Sequence, residues 1–288
     1  MHVIPTSKDL SRAPARPSVH TGGMSIIGEK SSEDRGRQEL LECAERFVRD
    51  HMAGYDPSHD WHHVHRVRKM AIRIAKTLTP IPDLLVVELA ALFHDLDDHK
   101  YRTSTSPTLS TLLQPFLTHP SLAPEQAGMI LKIIPSVSYT AEIKLQKAIP
   151  TQWIWQATCG ELHAVQDADR LDAVGSIGIM RCAAFSCKAN RKLLEEGPES
   201  GSGLGLGSRS GAGIDGAGKE EGEMQKDPVK AKVDGKGQSA EGHFEEKLLL
   251  IKDRMKTDFG RAEAERRHQT MVDFLSSLER ERAVLDAE

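Results

Sequence analysis

An apolar run that ends in two ionisable residues constrains this chain more than any other feature. Residues 83 to 95 read DLLVVELAALFHD. A segment that is apolar on nearly every side has no face to give to water, so a domain must be built around it. Its length and its Glu-Leu-Ala-Ala centre favour a helix over a buried strand. The prolines of the preceding TPIPD stop one helix and start this one. At the far end stand His94 and Asp95, and two adjacent polar groups are costly to bury without partners. A cation would satisfy both. If the end instead reaches solvent, His94 simply sits at the negative end of the helix dipole.

Helical periodicity covers most of the rest. Leu40, Leu41, Ala44, Phe47 and Val48 predict a helix over 37–53, followed by the turn-rich GYDPSHD. Val67, Met70, Ala71, Ile74, Ala75 and Leu78 predict a second over 60–78. The Ser, Thr and Pro of 103–121 read as a loop with a short helix, and 124–134 as a helix. Residues 135–156 are ambiguous, and 160–189 hold one or two helices. Phe244, Leu248, Ile251 and Met255 form another stripe, and a long helix follows from 260 to about 283. The expected fold is all-α, a helical bundle over 37–283.

Two stretches fall outside that pattern. Residues 1–36 read as a disordered tail rich in Ser, Pro, Gly and Arg. Arg12 and Arg16 among small polar residues also suit a transit peptide, a reading that Asp9 and the prolines weaken, and Met24 offers a second start. Residues 197–242 have almost no large apolar side chains and read as a long disordered Gly-rich insertion. Within them GLGLGSRSG lacks the strand and helix that a phosphate-binding loop needs.

A net charge of −4 argues against a dedicated nucleic-acid binder but not against a small anionic substrate, which needs only a local basic pocket. No apolar run is long enough for a membrane span, and no secretory leader is visible. The four cysteines form no CxxC pair and read as reduced packing residues, including Cys182 and Cys187. The expected location is the cytoplasm, with nuclear or mitochondrial placement left open. A homodimer is compatible with the sequence.

Three places carry chemistry. In HDWHHVHRV, His63 lies four residues before Val67 and shares the buried face of its helix, whereas His62 and His65 point elsewhere and should be solvated. Standing alone, His63 would read as a satisfied core histidine. His94 and Asp95 are the second place. The third is VQDADRLDA, where Leu162, Val165 and Asp169 share a face. Asp169 could instead pair with Arg170, and Asp167 and Asp172 compete for the same role. Two imidazoles and two carboxylates suit a divalent ion such as Mn, Mg, Fe or Zn.

The order H…HD…D, with HDWHHVHRV, LFHDLDDHKY, VQDADRLDAVGSIGIMR and HFEEKLLLIKDRMKT, resembles the HD domain superfamily of metal-dependent phosphohydrolases. The likeness covers roughly 37–195 and 243–283, in a subgroup whose bacterial members are nucleotide pyrophosphohydrolases. It implies metal ligation by His63, His94, Asp95 and Asp169, with Mn the first choice of ion. It implies that Asp98, with Asp97 next, orients the attacking water, and that Arg66, Lys100 and Arg170 hold phosphate. The implied substrate is a nucleotide or related phosphate ester or anhydride, the specific version being a nucleoside triphosphate that loses pyrophosphate. The alternative is a non-catalytic nucleotide-binding or scaffolding module on the same fold.

Overall fold

A computed structural model of the chain describes residues 31–97, 107–148, 154–195 and 239–285. These form ten α-helices and one 3-10 segment, with no strand among the described residues. The helices are α1 (Ser32–His51), α2 (Trp61–Ala75), α3 (Leu84–Phe93), α4 (Leu109–Leu117), α5 (Pro124–Val137) and α6 (Tyr139–Ala148). They continue as α7 (Gly160–Asp172), α8 (Gly175–Lys188), α9 (Ala240–Glu246) and α10 (Asp258–Leu285), with the 3-10 segment at Leu248–Arg254.

Side-chain caps set where the three central starts fall. Ser31 accepts from the Asp34 amide at the head of α1, Asp60 from His63 at the head of α2, and Asp83 from Leu85 and Val86 at the head of α3. α3 is buried along its length except at Leu84 and Glu88, and it touches α1, α2, α5 and α7. The apolar run thus forms the axis of the bundle. α2 lies along both α3 and α7. This brings the N-terminal turn of α2, the C-terminal end of α3 and the last turn of α7 to one place.

The ambiguous stretch resolves into the end of α5 and all of α6. α6 shows little apolar periodicity because its key side chain is a charge. Glu142 and Arg170 are both about 1% exposed and form an ion pair. Lys256 Nζ reaches the other Glu142 oxygen at 2.6 Å, and Arg170 also donates to Arg254 O at 2.7 Å. The pull of Arg170 and Lys256 overcomes burial and holds the Glu142 carboxyl below its usual range.

α1 starts at Ser32, inside the stretch expected as tail, and most of the expected insertion lies outside the described residues. Its flanks are joined: Ala240 N donates to Lys192 O at 2.8 Å, Glu241 N donates to Leu193 O at 3.1 Å, and Arg282 pairs with Glu241. The elements that follow pack back on α7 and α8 through α10. Close approach there depends on two glycines. Gly175 has φ +74°, and a Cβ on it would stand 3.0 Å from Arg267 Cβ; a Cβ on Gly260 would collide with Asp167 Oδ2.

Glu142→Gln leaves the Arg170 guanidinium buried without a counter-charge. Urea unfolding should show a loss of about 3–5 kcal/mol. A loss below about 1 kcal/mol would mean that the pair is solvated and contributes as a surface pair does.

Candidate metal centre

His63, in the first turn of α2, shares its inward face with Val67 and Ala71 and is fully buried. His94 caps the C-terminus of α3 and Asp95 follows in the turn. Asp169 comes from the last turn of α7. The two imidazole Nε2 atoms are 3.3 Å apart. Asp95 approaches both, Oδ2 at 3.3 Å from His63 Nε2 and Oδ1 at 3.5 Å from His94 Nε2. Asp169 Oδ1 lies 3.6 Å and 3.8 Å from the same two nitrogens. The donor atoms of His63, His94 and Asp169 all fall within 4.8 Å of one another.

The far side of each ring decides what this cluster can hold. His63 Nδ1 is 2.7 Å from Asp172 Oδ2, and His94 Nδ1 is 2.9 Å from Ala91 O. A carboxylate and a carbonyl accept only, so each Nδ1 carries the hydrogen. When the rings are neutral, their bare Nε2 lone pairs face each other and two carboxylates. Buried Asp95 Oδ2 has no hydrogen-bond donor among the described residues. Such a convergence of electron pairs calls for a cation. Burial and the Arg181 guanidinium oppose a proton on His63, but the Asp172 and Asp95 carboxylates outweigh them and raise its pKa. Burial raises Asp95, yet His94 and His63 pull it well below the carboxylate range. Two imidazoles and two carboxylates fit a divalent ion.

The chain is 33% identical over 242 residues to YpgQ, an uncharacterized protein of Bacillus subtilis, covering 84% of this chain and 93% of YpgQ. The crystal structure of YpgQ in complex with ADP superposes with a TM-score of 0.59 at 26% identity, over 88% of this chain and all of that one. An HD-superfamily hydrolase from Bacillus thuringiensis superposes at 0.55 with 26% identity, over 86% and 98% of the two chains. The chain belongs to the HD superfamily. No protein-family model matches it.

Behind the cluster lies a layer of charged groups whose contacts differ from those expected. Asp172, expected as a competitor of Asp169 for the ion, does not face the cluster. Instead it binds His63 Nδ1, takes Arg66 bidentately at 2.7 and 2.9 Å, and lies 3.3 Å from Arg181. Those partners hold its carboxyl far below its ordinary range despite burial. The spacing carried the signal: Asp169 and Asp172, like His63 and Arg66, stand three apart on one helix and so share a face. Asp167 leaves the competition too, since it accepts from the Lys256 and Thr257 amides at 2.8 Å and from Thr257 Oγ1 at 2.7 Å. His59 was not singled out either; its ring centre lies 6.1 Å from that of His63, and its Nδ1 meets Ser58 Oγ at 2.7 Å.

Other expectations need correction. Arg170 is not a phosphate clamp, because it is 2% exposed and its guanidinium is committed to Glu142 and Arg254 O. Nor is Asp169 its partner. His65 is half-buried against the Trp61 ring rather than solvated. Arg66 is held by Asp172 with 35% of its side chain exposed. Asp97 is half-buried in the turn after α3. Asp98 and Lys100 lie outside the described residues.

Asp172→Asn replaces the acceptor-only carboxylate that fixes the His63 tautomer with a neutral amide that can donate as well as accept. Titration of Mn into metal-free protein should show affinity about 10- to 100-fold weaker. The stability that native Asp172 contributes is complete above its unfolded pKa of about 3.9 and drains as pH falls toward the depressed folded value. Acid unfolding of the variant should therefore be less steep below about pH 4. Unchanged metal affinity would refute the orienting role.

Proposed function

We propose that this HD protein is a divalent-metal-dependent phosphohydrolase whose substrate is a nucleotide, with His63, His94, Asp95 and Asp169 as the metal ligands. The observation that carries the reading is the convergence of two bare imidazole nitrogens on two carboxylates, one of which keeps a buried oxygen without a donor. Asp95 and Asp169 are 19% and 25% exposed, so a phosphate oxygen can approach the cluster from their side.

The ion, Mn by preference, supplies Lewis acidity toward the phosphoryl oxygen and a lowered pKa for water. The chain's own residues do the positioning. Asp172 and Ala91 O hold the two rings with Nε2 forward. Arg66 and Arg181 keep Asp172 ionised in that task. Asp98, or Asp97 beside it, is assigned to orient the attacking water, and Lys100 to steady the phosphate. The ADP complex of YpgQ supports a nucleotide as the ligand. Cleavage of a nucleoside triphosphate with release of pyrophosphate is the specific reaction assigned.

Elemental analysis of the purified protein and a nucleotide panel with Mn or Mg test the reading together. Release of pyrophosphate or phosphate should depend on the ion and fall by about a thousandfold or more in Asp95→Ala, since metal stabilisation of the reacting group is worth several kcal/mol. Bound metal without turnover across the panel would favour the non-catalytic binding module. Full activity in Asp95→Ala would refute the centre.

A further inference from the structure

On the Asp172 side of His63, residues of α2, α7, α8 and α10 line an open cavity of about 250 Å³. None of the four ion-cluster residues lines it. It is separated from the cluster by a relay in which His63 Nδ1 binds Asp172 and Asp172 binds Arg66, whose side chain forms part of the wall.

Four cations line this cavity: Arg66, Lys69, Arg73 and Arg267. The first three lie at positions i, i+3 and i+7, on one face of α2. At 1.5 Å per residue they extend over about 10 Å of helix. Arg267 comes from α10 and is seated against Gly175, whose positive φ and missing Cβ leave room for its stem. It donates to Leu171 O at 2.6 Å and to Glu263 at 2.7 Å.

Charge around the cavity is unbalanced. Asp172 is the one carboxylate among its lining residues, and it is already shared by His63, Arg66 and Arg181. Glu263, in the adjoining groove, is taken by Arg266 and Arg267. Lys69 and Arg73 are exposed and have no carboxylate partner among the described residues; Arg73 lies over the Phe259 ring, 5.3 Å from its centre. The floor is apolar, made by Met70, Leu171 and Ile177.

We infer that this cavity is a second anion site, distinct from the ion centre, that binds an oligophosphate through Lys69 and Arg73, with Arg66 and Arg267 lining the same pocket. A row of cations along one helix matches a linear chain of phosphate groups better than a single tetrahedral anion. Charged donors suit phosphate oxygens. The chain could be inorganic pyrophosphate or the diphosphate of a nucleotide, because both present the same oxygens.

Binding to full-length protein stripped of metal with EDTA separates this site from the ion centre. Calorimetric titration should show one equivalent of pyrophosphate bound, at least tenfold weaker in the Lys69→Ala/Arg73→Ala double variant and unchanged in Asp169→Asn. Both lysine and arginine are exposed, so circular dichroism and thermal melting should report an intact fold in the double variant. ADP binding more tightly than pyrophosphate would identify the source as a nucleotide, and equal or weaker binding as the free anion; each supports the site. Equal binding by native protein and the double variant would overturn it. So would tighter binding in Asp169→Asn, because loss of a repelling carboxylate would strengthen an anion held at the metal-free ion centre. Orthophosphate binding as tightly as pyrophosphate would overturn the oligophosphate assignment.

Discussion

The arrangement at the centre of the molecule depends on two hydrogen bonds that never touch the cluster itself. Asp172 and Ala91 O take the Nδ1 hydrogens of His63 and His94, and this alone turns both Nε2 lone pairs inward. Neither acceptor has a hydrogen of its own to offer, so the tautomers are fixed by chemistry rather than by packing. Each acceptor is in turn part of the scaffold. Ala91 O belongs to the axial helix, three residues before His94, while Asp172 ends α7 and is clamped by Arg66 and Arg181. The centre is therefore built on the contact of α2 with α3 and α7.

The sequence predicted the helical scaffold because the burial pattern is written in apolar residues. The run from Leu84 to Phe93 could only be an axis, and the stripe through Val67, Ala71 and Ile74 placed His63 on the inner face. His63, His94, Asp95 and Asp169 stood out because each either ends or continues such a stripe. What escaped was carried by charge. α6 shows almost no apolar period, since its role is to deliver Glu142 to a buried Arg170. A sequence shows that Arg170 follows Asp169 but not that the α7 helix turns the two toward different partners. The same blindness made Asp172 look like a rival ligand when its carboxylate belongs to the other nitrogen of His63.

Buried charge recurs through α7. Asp167 binds the head of α10, Arg170 binds α6 and the end of the 3-10 segment, and Asp172 binds α2. Single pairs of this kind contribute little net stability, because desolvation offsets most of the attraction. They do oppose every alternative packing in which one member is left alone. α7 thereby ties its neighbours into one register, and Asp169, on the same helix, is held at a constant depth beside His63 and His94.

An ion and a proton compete for the space between the two Nε2 atoms. A proton on His63 gains more from the Asp95 and Asp172 carboxylates than burial and Arg181 take away, but it can serve only one nitrogen. His63 also lies in the first turn of α2, where the positive end of the helix dipole disfavours a charged ring. A divalent ion would meet the same carboxylates with twice the charge and could take an electron pair from each ring as well. His94 and Asp95 lie at the C-terminal end of α3, where the dipole favours positive charge. The two helices thus set opposite preferences on the two sides of one small space, neutral imidazole on the α2 side and positive charge on the α3 side. A metal ion held by neutral rings would satisfy both, whereas an imidazolium would satisfy only the second.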